Sequence, residues 1–503
     1  MLRRNLIANS ISQGLIIVLG IIFIPLYIKY LGVEAYGLVG FYTMLQAWLS
    51  IFDMGITPML GREMARFTAG IHTPQSIRNL VRSVETIVIS IAFILAIALW
   101  LSSVWISTEW LQIQSFTVAE VANIISIMGI IIGLKFCEGI YRSAIIGLQE
   151  QVWISLINTG LQILRYVGAI VMLALVSPTV ECFFIWQLFV SFLSLIVFQV
   201  KLNSALPAAA KKAKFSKKSL VSVWRFAGGM VGITFLSLLL TQVDKLLLSH
   251  VLGLEQYSYY MIATTLSGSI SLMIGPITQA IYPRLVQLHA NMDTQELVIA
   301  FHKGAQMVTI ITAPIVLILS LFPENVIYIW SGDTGLAKVV APILRILVIG
   351  SFLNGLMWIP YQTQLAYGWT SLTIRVNTLA VAVLIPAVLL MVPIYGVNGA
   401  AWIWLSLNIF YVSIAAHLMF RKILNEEKWK WYLNDILKPV IVGLIVIYAL
   451  ENIVTLEYFN GSRINMLIIL SIYIMCLYLF MYLSCNQLRI RRLFNITKEK
   501  YFD

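Results

Sequence analysis

The sequence predicts an all-α membrane protein with about fourteen transmembrane helices, arranged as two six-helix lobes that are parallel repeats, followed by two further helices. Three observations predict this fold: an apolar composition, a series of long uncharged segments, and a one-sided distribution of basic residues. Of the 503 residues, 60% are hydrophobic and only 11% are charged, and the mean hydropathy is +0.89. A soluble protein carries roughly 25% charged residues, so we expect lipid to surround most of this chain.

Candidate membrane spans are segments of roughly 20 mostly apolar residues, the length of helix that crosses the hydrocarbon. The chain contains fourteen such segments, at residues 8–30, 36–60, 80–106, 117–147, 152–177, 181–203, 222–249, 257–284, 301–323, 338–367, 370–392, 396–420, 436–450 and 463–486. The stretch 376–420 has no Asp, Glu, Lys or Arg and is too long for one span. Pro393, Gly396 and Asn398 are turn-forming residues, so we expect the helix to break there.

The basic residues indicate the orientation of the chain. The net charge is +12, and if the spans alternate, 27 of the 34 Lys and Arg residues lie on one side of the membrane. Only Lys29, Lys338 and Arg463 lie on the other side. The positive-inside rule then places both termini in the cytoplasm. The basic excess is a topology signal, so no nucleic-acid partner is expected, whereas the run from Lys211 to Lys218 also suits anionic lipid head groups.

An internal repeat divides the spans into lobes. The sequence Leu31-Gly-Val-Glu-Ala-Tyr36 recurs as Leu252-Gly-Leu-Glu-Gln-Tyr257, and further pairs follow in the same order, among them Asn158-Thr159 with Asn377-Thr378 and Ile185-Trp186 with Ile403-Trp404. Each repeat holds an even number of spans, so the two copies enter the membrane the same way round. We predict lobes at 1–203 and 222–424, a basic cytoplasmic linker at 204–221, and two extra helices with a cytoplasmic tail at 425–503.

The sequence shows no motif for catalysis, a metal or a cofactor. The five histidines are scattered without metal-ligand spacing, and no phosphate-binding loop or nucleophile constellation is present. The four cysteines lie in or beside apolar segments, where they act as small packing residues. We therefore expect a protein that is not an enzyme and that holds no metal and no cofactor.

Ionisable residues inside predicted spans are the candidates for function, because a charge at mid-bilayer costs roughly 2.5 kcal/mol or more. The cations are candidates for a substrate path: Arg165, Lys135, Lys245 and Arg345. The acids are candidates for ion coupling or for a structural role: Asp53, Glu138 and Asp244. Such side chains are expected to face a wet cavity or a partner.

Each candidate also has a structural interpretation. Lys135, Glu138 and Arg142 follow one stripe of a helix, so they could form an intrahelical ion ladder instead of a binding surface. Arg165 has no acid within a turn of its own helix, which favours the substrate path over a pair between lobes.

The remaining candidates lie nearer the membrane faces or beside one another. Lys245 and Arg345 lie where long side chains can snorkel. For Asp53, a packing hydrogen bond and ion coupling both stay open. Asp244 precedes Lys245, and since neighbours on a helix do not face each other, the partner of Asp244 stays open.

A path lined mainly by cations suits an anionic solute, because arginine binds phosphate through two parallel hydrogen bonds. If the solute carries sugars, aromatic side chains could stack on them, and the aromatic candidates are Trp186, Trp358, Tyr361, Trp402 and Trp404. Packing and interfacial belts are the commoner use of such residues in membranes.

The opening of the chain resembles a known family. Asn9, the segment I-P-L-Y-I-K-Y-L-G-V-E-A-Y-G from Ile24 to Gly37, and F-D-M-G from Phe52 to Gly55 are similar to bacterial polysaccharide flippases. These are the Wzx-type O-antigen translocases of the multidrug/oligosaccharidyl-lipid/polysaccharide exporter superfamily. The resemblance implies a V-shaped pair of lobes, like those of the multidrug exporters, that work by alternating access.

The same resemblance implies the cargo and the place of action. The cargo is an undecaprenyl-pyrophosphate-linked oligosaccharide, moved from the inner to the outer leaflet of the cytoplasmic membrane for O-antigen or a similar surface polysaccharide. Implied partners are membrane lipids and other polysaccharide assembly proteins. Relatives have a cation-rich central cavity, and the matching features here are Arg165 and Lys135, with Lys245 and Arg345 after them.

Two other functions compete with this prediction. A cation-coupled multidrug exporter of the same fold would favour an acidic path for cationic drugs, whereas the deep charges here lean basic. A membrane-embedded polysaccharide polymerase would need a long outward loop for catalysis, and none of the predicted outward connections is long.

Overall fold

The computed structural model describes the backbone of residues 2–53, 55–207, 212–453 and 462–485, and the side chains of these ranges except 2–11, 217–231, 233 and 234. Every regular element within these ranges is helical. The α-helices are α1 Leu2–Ile22, α2 Ile24–Leu31, α3 Val33–Leu49, α4 Ile56–Thr68, α5 Pro74–Trp105, α6 Val118–Gly147, α7 Gln151–Leu175, α8 Val180–Ala205, α9 Lys217–Val251, α10 Leu254–Ala290, α11 Thr294–Leu321, α12 Pro323–Ser331, α13 Thr334–Leu356, α14 Trp358–Ala366, α15 Ser371–Phe410, α16 Ala416–Phe420, α17 Lys428–Lys430, α18 Lys438–Ile453 and α19 Arg463–Ser484.

The helices confirm an all-α protein with many membrane spans. In the part of the chain that the structure describes, 12 helical segments are long and apolar enough to cross a membrane. One of them, Ser371–Phe420, is 50 residues long, and α9 is a further helix of 35 residues. The count of fourteen spans stays a prediction.

The predicted break near Pro393 is confirmed. Gly396, inside α15, has φ 55° and ψ −137°, a conformation outside the helical region. Only glycine adopts such positive φ angles readily, because it has no Cβ. The break therefore separates two helices within the longest apolar stretch.

Polar residues determine where several of the long helices begin. Thr117 caps α6 with a complete capping box, in which its side chain and that of Glu120 each bind the other's backbone amide. Thr73 caps α5 and is followed by Pro74 at the first helical position. Such caps satisfy amides that have no partner within the helix.

One face of α5 shows what surrounds the protein. Phe93, Ile94, Trp100 and Leu101 are each more than 60% exposed. Their spacing of seven residues places them on one side of the helix. A contiguous apolar face of this kind in water would be unfavourable, so it is suited to contact with lipid tails.

The chain divides into two compact units, Met1–Ser258 and Tyr259–Asp503. In the first unit, α6 packs against α4, α5 and α8, and a buried apolar cluster that includes Met64, Val88, Ile140 and Phe198 fills the space between them. Helix α9 packs on α3, α4 and α5 of this unit. The predicted lobe and linker boundaries at residues 203 and 222 stay a prediction.

In the second unit, α11 and α15 pack against α13. Helices α18 and α19, which correspond to the predicted appended helices, pack against each other and against α11. A π-helical turn at Trp431–Leu437 precedes α18 and also contacts α11.

The two copies of the repeated motif contact each other in the first unit. Ser258 Oγ donates to Val33 O at 2.6 Å. A Cβ atom on Gly37 would lie 2.5 Å from Leu254 O, so only glycine permits this approach of two backbones. Glu34, in the first turn of α3, accepts hydrogen bonds from the backbone amides of Gln114 and Ser115 at 2.9 and 3.1 Å. These bonds connect the segment before α6 to the start of α3.

Candidate functional site

Arg165 lies buried in the middle of α7, with 9% of its surface exposed. Its Nη1 donates to Gln187 Oε1 at 3.0 Å and to Ser191 Oγ at 3.3 Å, both on α8. Its Nε is buried with no hydrogen-bond partner. Among the described residues, no carboxylate forms an ion pair with this guanidinium. Arg165 therefore carries a buried positive charge that only neutral oxygens solvate.

Lys135 on α6 has the same character. Its ammonium donates to Gln46 Oε1 at 3.1 Å and lies 5.3 Å from the ring centre of Tyr42. Gln46 and Tyr42 both belong to α3, one helical turn apart, so α3 presents both groups to the lysine. Tyr42 is buried, and its hydroxyl has no hydrogen-bond partner.

Arg165 and Lys135 belong to one cluster in the first unit. Their charges lie within electrostatic range of each other, and Glu138 lies within range of Lys135. The ring of Tyr42 packs edge-on against Phe184, three residues before Gln187. We call the set of Tyr42, Gln46, Lys135, Glu138, Arg165, Gln187 and Ser191 the Arg165 cluster. It carries one net positive charge when Glu138 is ionised and Lys135 is protonated.

The ion ladder along α6 is not formed. No pair among Lys135, Glu138 and Arg142 lies within 4.0 Å in the described residues. The lysine turns instead towards α3, where an amide oxygen and an aromatic face are available. This alternative to a binding role for Lys135 is therefore wrong.

Asp53 has a structural partner. Its Oδ1 accepts hydrogen bonds from the backbone amide of Thr57 at 3.0 Å and from the Thr57 hydroxyl at 2.5 Å. Thr57 is in the first turn of α4, where amides lack partners within the helix. Of the two alternatives for Asp53, the geometry matches the packing hydrogen bond.

The expectation that Asp244 and Lys245 do not face each other is wrong. Lys245 Nζ lies 3.5 Å from Asp244 Oδ1 and also donates to Thr241 O at 2.5 Å. The lysine has four rotatable methylenes, so it folds back along its helix and reaches a neighbour that a short side chain would miss. The pair lies on α9, apart from the contacts of the Arg165 cluster.

Arg345 lies on α13 in the second unit and is exposed. Its Nε donates to Ser320 O at 2.9 Å. An exposed guanidinium at one main-chain oxygen is consistent with a snorkelling side chain. The placement of Lys245 and Arg345 in the substrate path stays a prediction.

The aromatic candidates divide into packing and exposed residues. Trp186 donates to Leu164 O at 3.2 Å, Trp404 to Ser351 Oγ at 3.3 Å and Trp358 to Asn354 Oδ1 at 3.4 Å. These three indoles are held in place within their units. Trp402 and Tyr361 are exposed, by 52% and 38%, so their ring faces are the ones free to meet lipid or sugar.

Sequence reasoning missed the neutral members of the Arg165 cluster. Tyr42 and Gln46 are four residues apart, as are Gln187 and Ser191. Polar pairs at this spacing in an apolar span share one helix face, and that spacing was a usable signal. It also missed His302, which contacts both Glu427 and Asp435 in the second unit. Across the described ranges, no group of three or more His, Cys, Asp or Glu side chains is arranged to hold a metal ion.

A comparison with protein families decides the family. The family described as "Polysaccharide biosynthesis protein" matches residues 2–289, more than half of the chain. The chain belongs to the polysaccharide biosynthesis protein family.

Curated relatives of this family member agree with the assignment. A Shigella flexneri protein named "Putative O-antigen transporter" is 22% identical over 374 residues, which cover 74% of this chain and 87% of the relative. The "Lipopolysaccharide biosynthesis protein WzxC" of Escherichia coli (strain K12) is 22% identical over 240 residues, which cover 47% of this chain and 48% of that protein. These names confirm the predicted resemblance to Wzx-type proteins.

Solved structures show the fold of this family member. "Lipid II flippase MurJ, inward closed conformation" superposes with a TM-score of 0.69 at 17% identity, over 97% of this chain and 99% of that chain. An inward-facing multidrug resistance MATE family transporter of the MOP superfamily gives a TM-score of 0.60 at 13% identity, over 82% and 93% of the two chains. At such identities the likeness establishes the fold alone, and the cargo has to be argued from the chain itself.

Proposed function

We propose that this protein is a flippase that moves undecaprenyl-pyrophosphate-linked oligosaccharide units across the cytoplasmic membrane by alternating access. The units would be those of O-antigen or a similar surface polysaccharide. The relatives named for O-antigen transport and lipopolysaccharide biosynthesis support this proposal, as does a fold shared with a lipid II flippase. The protein acts as a multi-pass protein of the inner membrane, with both termini in the cytoplasm as the basic residues predict.

The observation that carries the proposal is the buried charge of Arg165. A charged arginine at mid-bilayer costs roughly 2.5–3.5 kcal/mol on insertion scales. Buried charges that serve only stability are usually paired, whereas Arg165 contacts two neutral oxygens and keeps an unsatisfied Nε. A cation left unpaired in this way is suited to an anion that arrives from outside the protein.

The chemistry of the Arg165 cluster favours a pyrophosphate. A guanidinium can donate two parallel hydrogen bonds to phosphate oxygens, and Lys135 adds a second positive charge within electrostatic range. Gln46 and Gln187 hold the cations in the absence of cargo. Because these amide contacts are neutral, exchanging them for an anion brings a net electrostatic gain.

The partners follow from this cargo. The lipid anchor of the cargo travels in the bilayer, so membrane lipids surround the protein throughout the cycle. We include other polysaccharide assembly proteins among its partners, because the oligosaccharide unit has to be built before export and the exported units have to be joined into the polysaccharide afterwards.

A cation-coupled multidrug exporter is the second candidate. The similarity to MATE transporters fits it at the level of the fold. Within the first unit, however, the one acid of the Arg165 cluster is outnumbered by two cations, and Asp53 is engaged with Thr57. A path of this polarity disfavours cationic drugs.

The deciding experiment replaces Arg165 in the native host strain. We expect Arg165→Ala to abolish surface polysaccharide and to cause lipid-linked oligosaccharide to accumulate in the inner leaflet, while the protein inserts at normal levels. Arg165→Lys keeps the charge but loses the parallel hydrogen bonds, so we expect partial activity. The readouts are surface polysaccharide on gels, extracted lipid-linked intermediates, and the amount of protein in the membrane.

The matched control is Arg284→Ala. Because this arginine is exposed and its guanidinium donates to Gln287 on its own helix, we expect its loss to leave surface polysaccharide in place. Full-length polysaccharide in the Arg165→Ala strain would remove Arg165 from the path. Unchanged polysaccharide together with increased drug sensitivity in a strain lacking the protein would favour the multidrug exporter.

A further inference from the structure

A buried histidine lies between two carboxylates in the second unit. His302 on α11 is 5% exposed. Its Nδ1 is 2.5 Å from Asp435 Oδ2, and its Nε2 is 2.9 Å from Glu427 Oε2. Asp435 belongs to the π-helical turn before α18, and Glu427 immediately precedes α17. Both ring nitrogens thus face oxygen atoms that accept hydrogen bonds.

The other oxygen of each carboxylate also has a donor. Gln306 Nε2 donates to Asp435 Oδ1 at 2.8 Å, and Lys430 Nζ donates to Glu427 Oε1 at 2.9 Å. We call these five residues the His302 cluster. Burial alone would raise the pKa of Glu427, but the hydrogen bonds from Lys430 and His302 outweigh it and bring that pKa below its usual value. Glu427 is therefore ionised at neutral pH.

The number of protons in the His302 cluster follows from this geometry. A neutral imidazole has one N–H and one lone pair, so one of its nitrogens would point a lone pair at a carboxylate oxygen. An imidazolium donates to both carboxylates. With that proton, the charges of His302 and Lys430 balance those of Asp435 and Glu427, and buried charges are tolerated when they are balanced and hydrogen-bonded.

The His302 cluster joins the appended helices to α11. Its two acids come from the segment that leads into α18, and its histidine and glutamine come from α11. Beside it, Trp431 is fully buried, and its ring packs against that of Phe420 at a tilt of 45°. Further along, the Cys485 thiol, which follows α19, packs with Ile310 of α11.

We propose that the His302 cluster is a proton-binding site whose bound proton docks residues 427–437, and with them the appended helices, on α11. The ligand is a single proton, held on the imidazole between two carboxylates. When that proton leaves, a lone pair faces a carboxylate and the cluster gains a net negative charge. The docked arrangement is then weakened.

Other titratable groups face the His302 cluster from the neighbouring elements. The Cys485 thiol lies within electrostatic range of Asp435 and of Lys438, which begins α18. Glu426 lies within electrostatic range of Lys430. From α16, His417 pairs with Lys428 at 2.8 Å. Burial raises the pKa of the Cys485 thiol to about 11, so it stays protonated at neutral pH.

The direction of the pH effect follows from the bound proton. Docking is complete when the imidazole holds both protons, and it weakens as pH rises through the loss of one of them. At the acidic side, Glu427 has a lowered pKa in the docked state, so its ionised form stabilises docking. This stabilisation is present above the ordinary glutamate pKa of about 4.3 and is lost as pH falls below that value.

The experiment uses Cys485 as a probe in the full-length chain, with Cys137, Cys182 and Cys476 changed to Ser. Cys485 is 0% exposed when the helices are docked, so maleimide labels it only after they loosen. The matched variant is Asp435→Asn. Its amide oxygen still accepts from Gln306, and its NH₂ donates to the imidazole lone pair, so the cluster is complete without the second imidazole proton.

The labelling rate is measured in detergent between about pH 5.5 and 8.5, which brackets the ordinary imidazole pKa of about 6.5. The rate in the unsubstituted cluster is divided by the rate in Asp435→Asn, so that thiol ionisation and the His417 pair cancel. We expect this ratio to be flat at the acidic end and then to rise by up to about tenfold per pH unit.

Two outcomes would overturn the proposal. A ratio that stays constant with pH means that the imidazole carries no additional proton. A rise that persists in His302→Gln assigns the titration to another group, such as His417. Because labelling does not depend on transport, either result leaves the proposed flippase function untouched.

Discussion

At the scale of single residues, Gly168 determines how closely α7 approaches α8. A Cβ atom at this position would lie 2.2 Å from Trp186 Cζ2, so the indole ring occupies the space that a side chain would take. The indole N–H donates to Leu164 O one turn away. Gln187, the next residue along α8, then reaches Arg165. A small residue on one helix thus positions the polar contacts of the Arg165 cluster.

We expect Gly168→Ala to displace Trp186 and to lower the stability of the protein by about 1–3 kcal/mol, the usual cost of overpacking. The matched control is Gly160→Ala on the same helix, where a Cβ atom meets nothing within 4 Å. That substitution should be neutral or slightly stabilising. Unfolding temperatures of the two purified variants in detergent check this, and equal values would show that the indole adapts without cost.

At the scale of elements, the contact between the two motif copies links α3 to the start of α10. The contact is made by backbone atoms and by the Ser258 hydroxyl. Trp110, in the connection before α6, donates its indole N–H to Ser249 Oγ of α9 at 3.1 Å. On the predicted topology this contact faces the outer side of the membrane. Under the proposed function, release of cargo to the outer side would require this contact to open.

We expect Gly37→Ala to force α3 and the start of α10 apart, because its Cβ would lie 2.5 Å from the backbone oxygen of Leu254, which cannot move independently of its helix. The probe is Leu254→Cys in a chain whose native cysteines are Ser, since Leu254 is 1% exposed. Maleimide labelling should increase by about tenfold, which corresponds to ~1.4 kcal/mol. Gly14→Ala, where the added Cβ meets nothing within 4 Å, should leave the rate unchanged. Unaltered labelling in Gly37→Ala would mean that the helices absorb the methyl group elsewhere.

At the scale of the whole molecule, the distribution of basic residues predicts the side on which each connection lies. We expect a reporter fused after Lys218 to read cytoplasmic and one fused after Gly332 to read on the outer side. At both positions we would measure the activity of a reporter that works only after export and the fluorescence of a reporter that works only in the cytoplasm. An outer-side signal after Lys218 would contradict both the orientation and the number of preceding spans.

Much of the fold could be predicted from particular residues. The break at Gly396 was visible because Pro393 and Asn398 flank it in an uncharged stretch too long for one helix. The candidate site was predicted in part, since Arg165 and Lys135 are conspicuous in apolar spans. Their contacts were not, because Gln46 and Gln187 are ordinary polar residues until packing brings them to a cation.

The sequence by itself determined that this is an all-α membrane protein with many apolar spans, and it predicts which way those spans point. These properties depend on the transfer of each segment from water to lipid and on the charges beside it, and both are local. Only the tertiary structure decided which groups meet. Lys135 finds Gln46 at a separation of 89 residues, and His302 finds Asp435 at 133. Such pairings depend on which helix faces pack together, and no local pattern of residues encodes that choice.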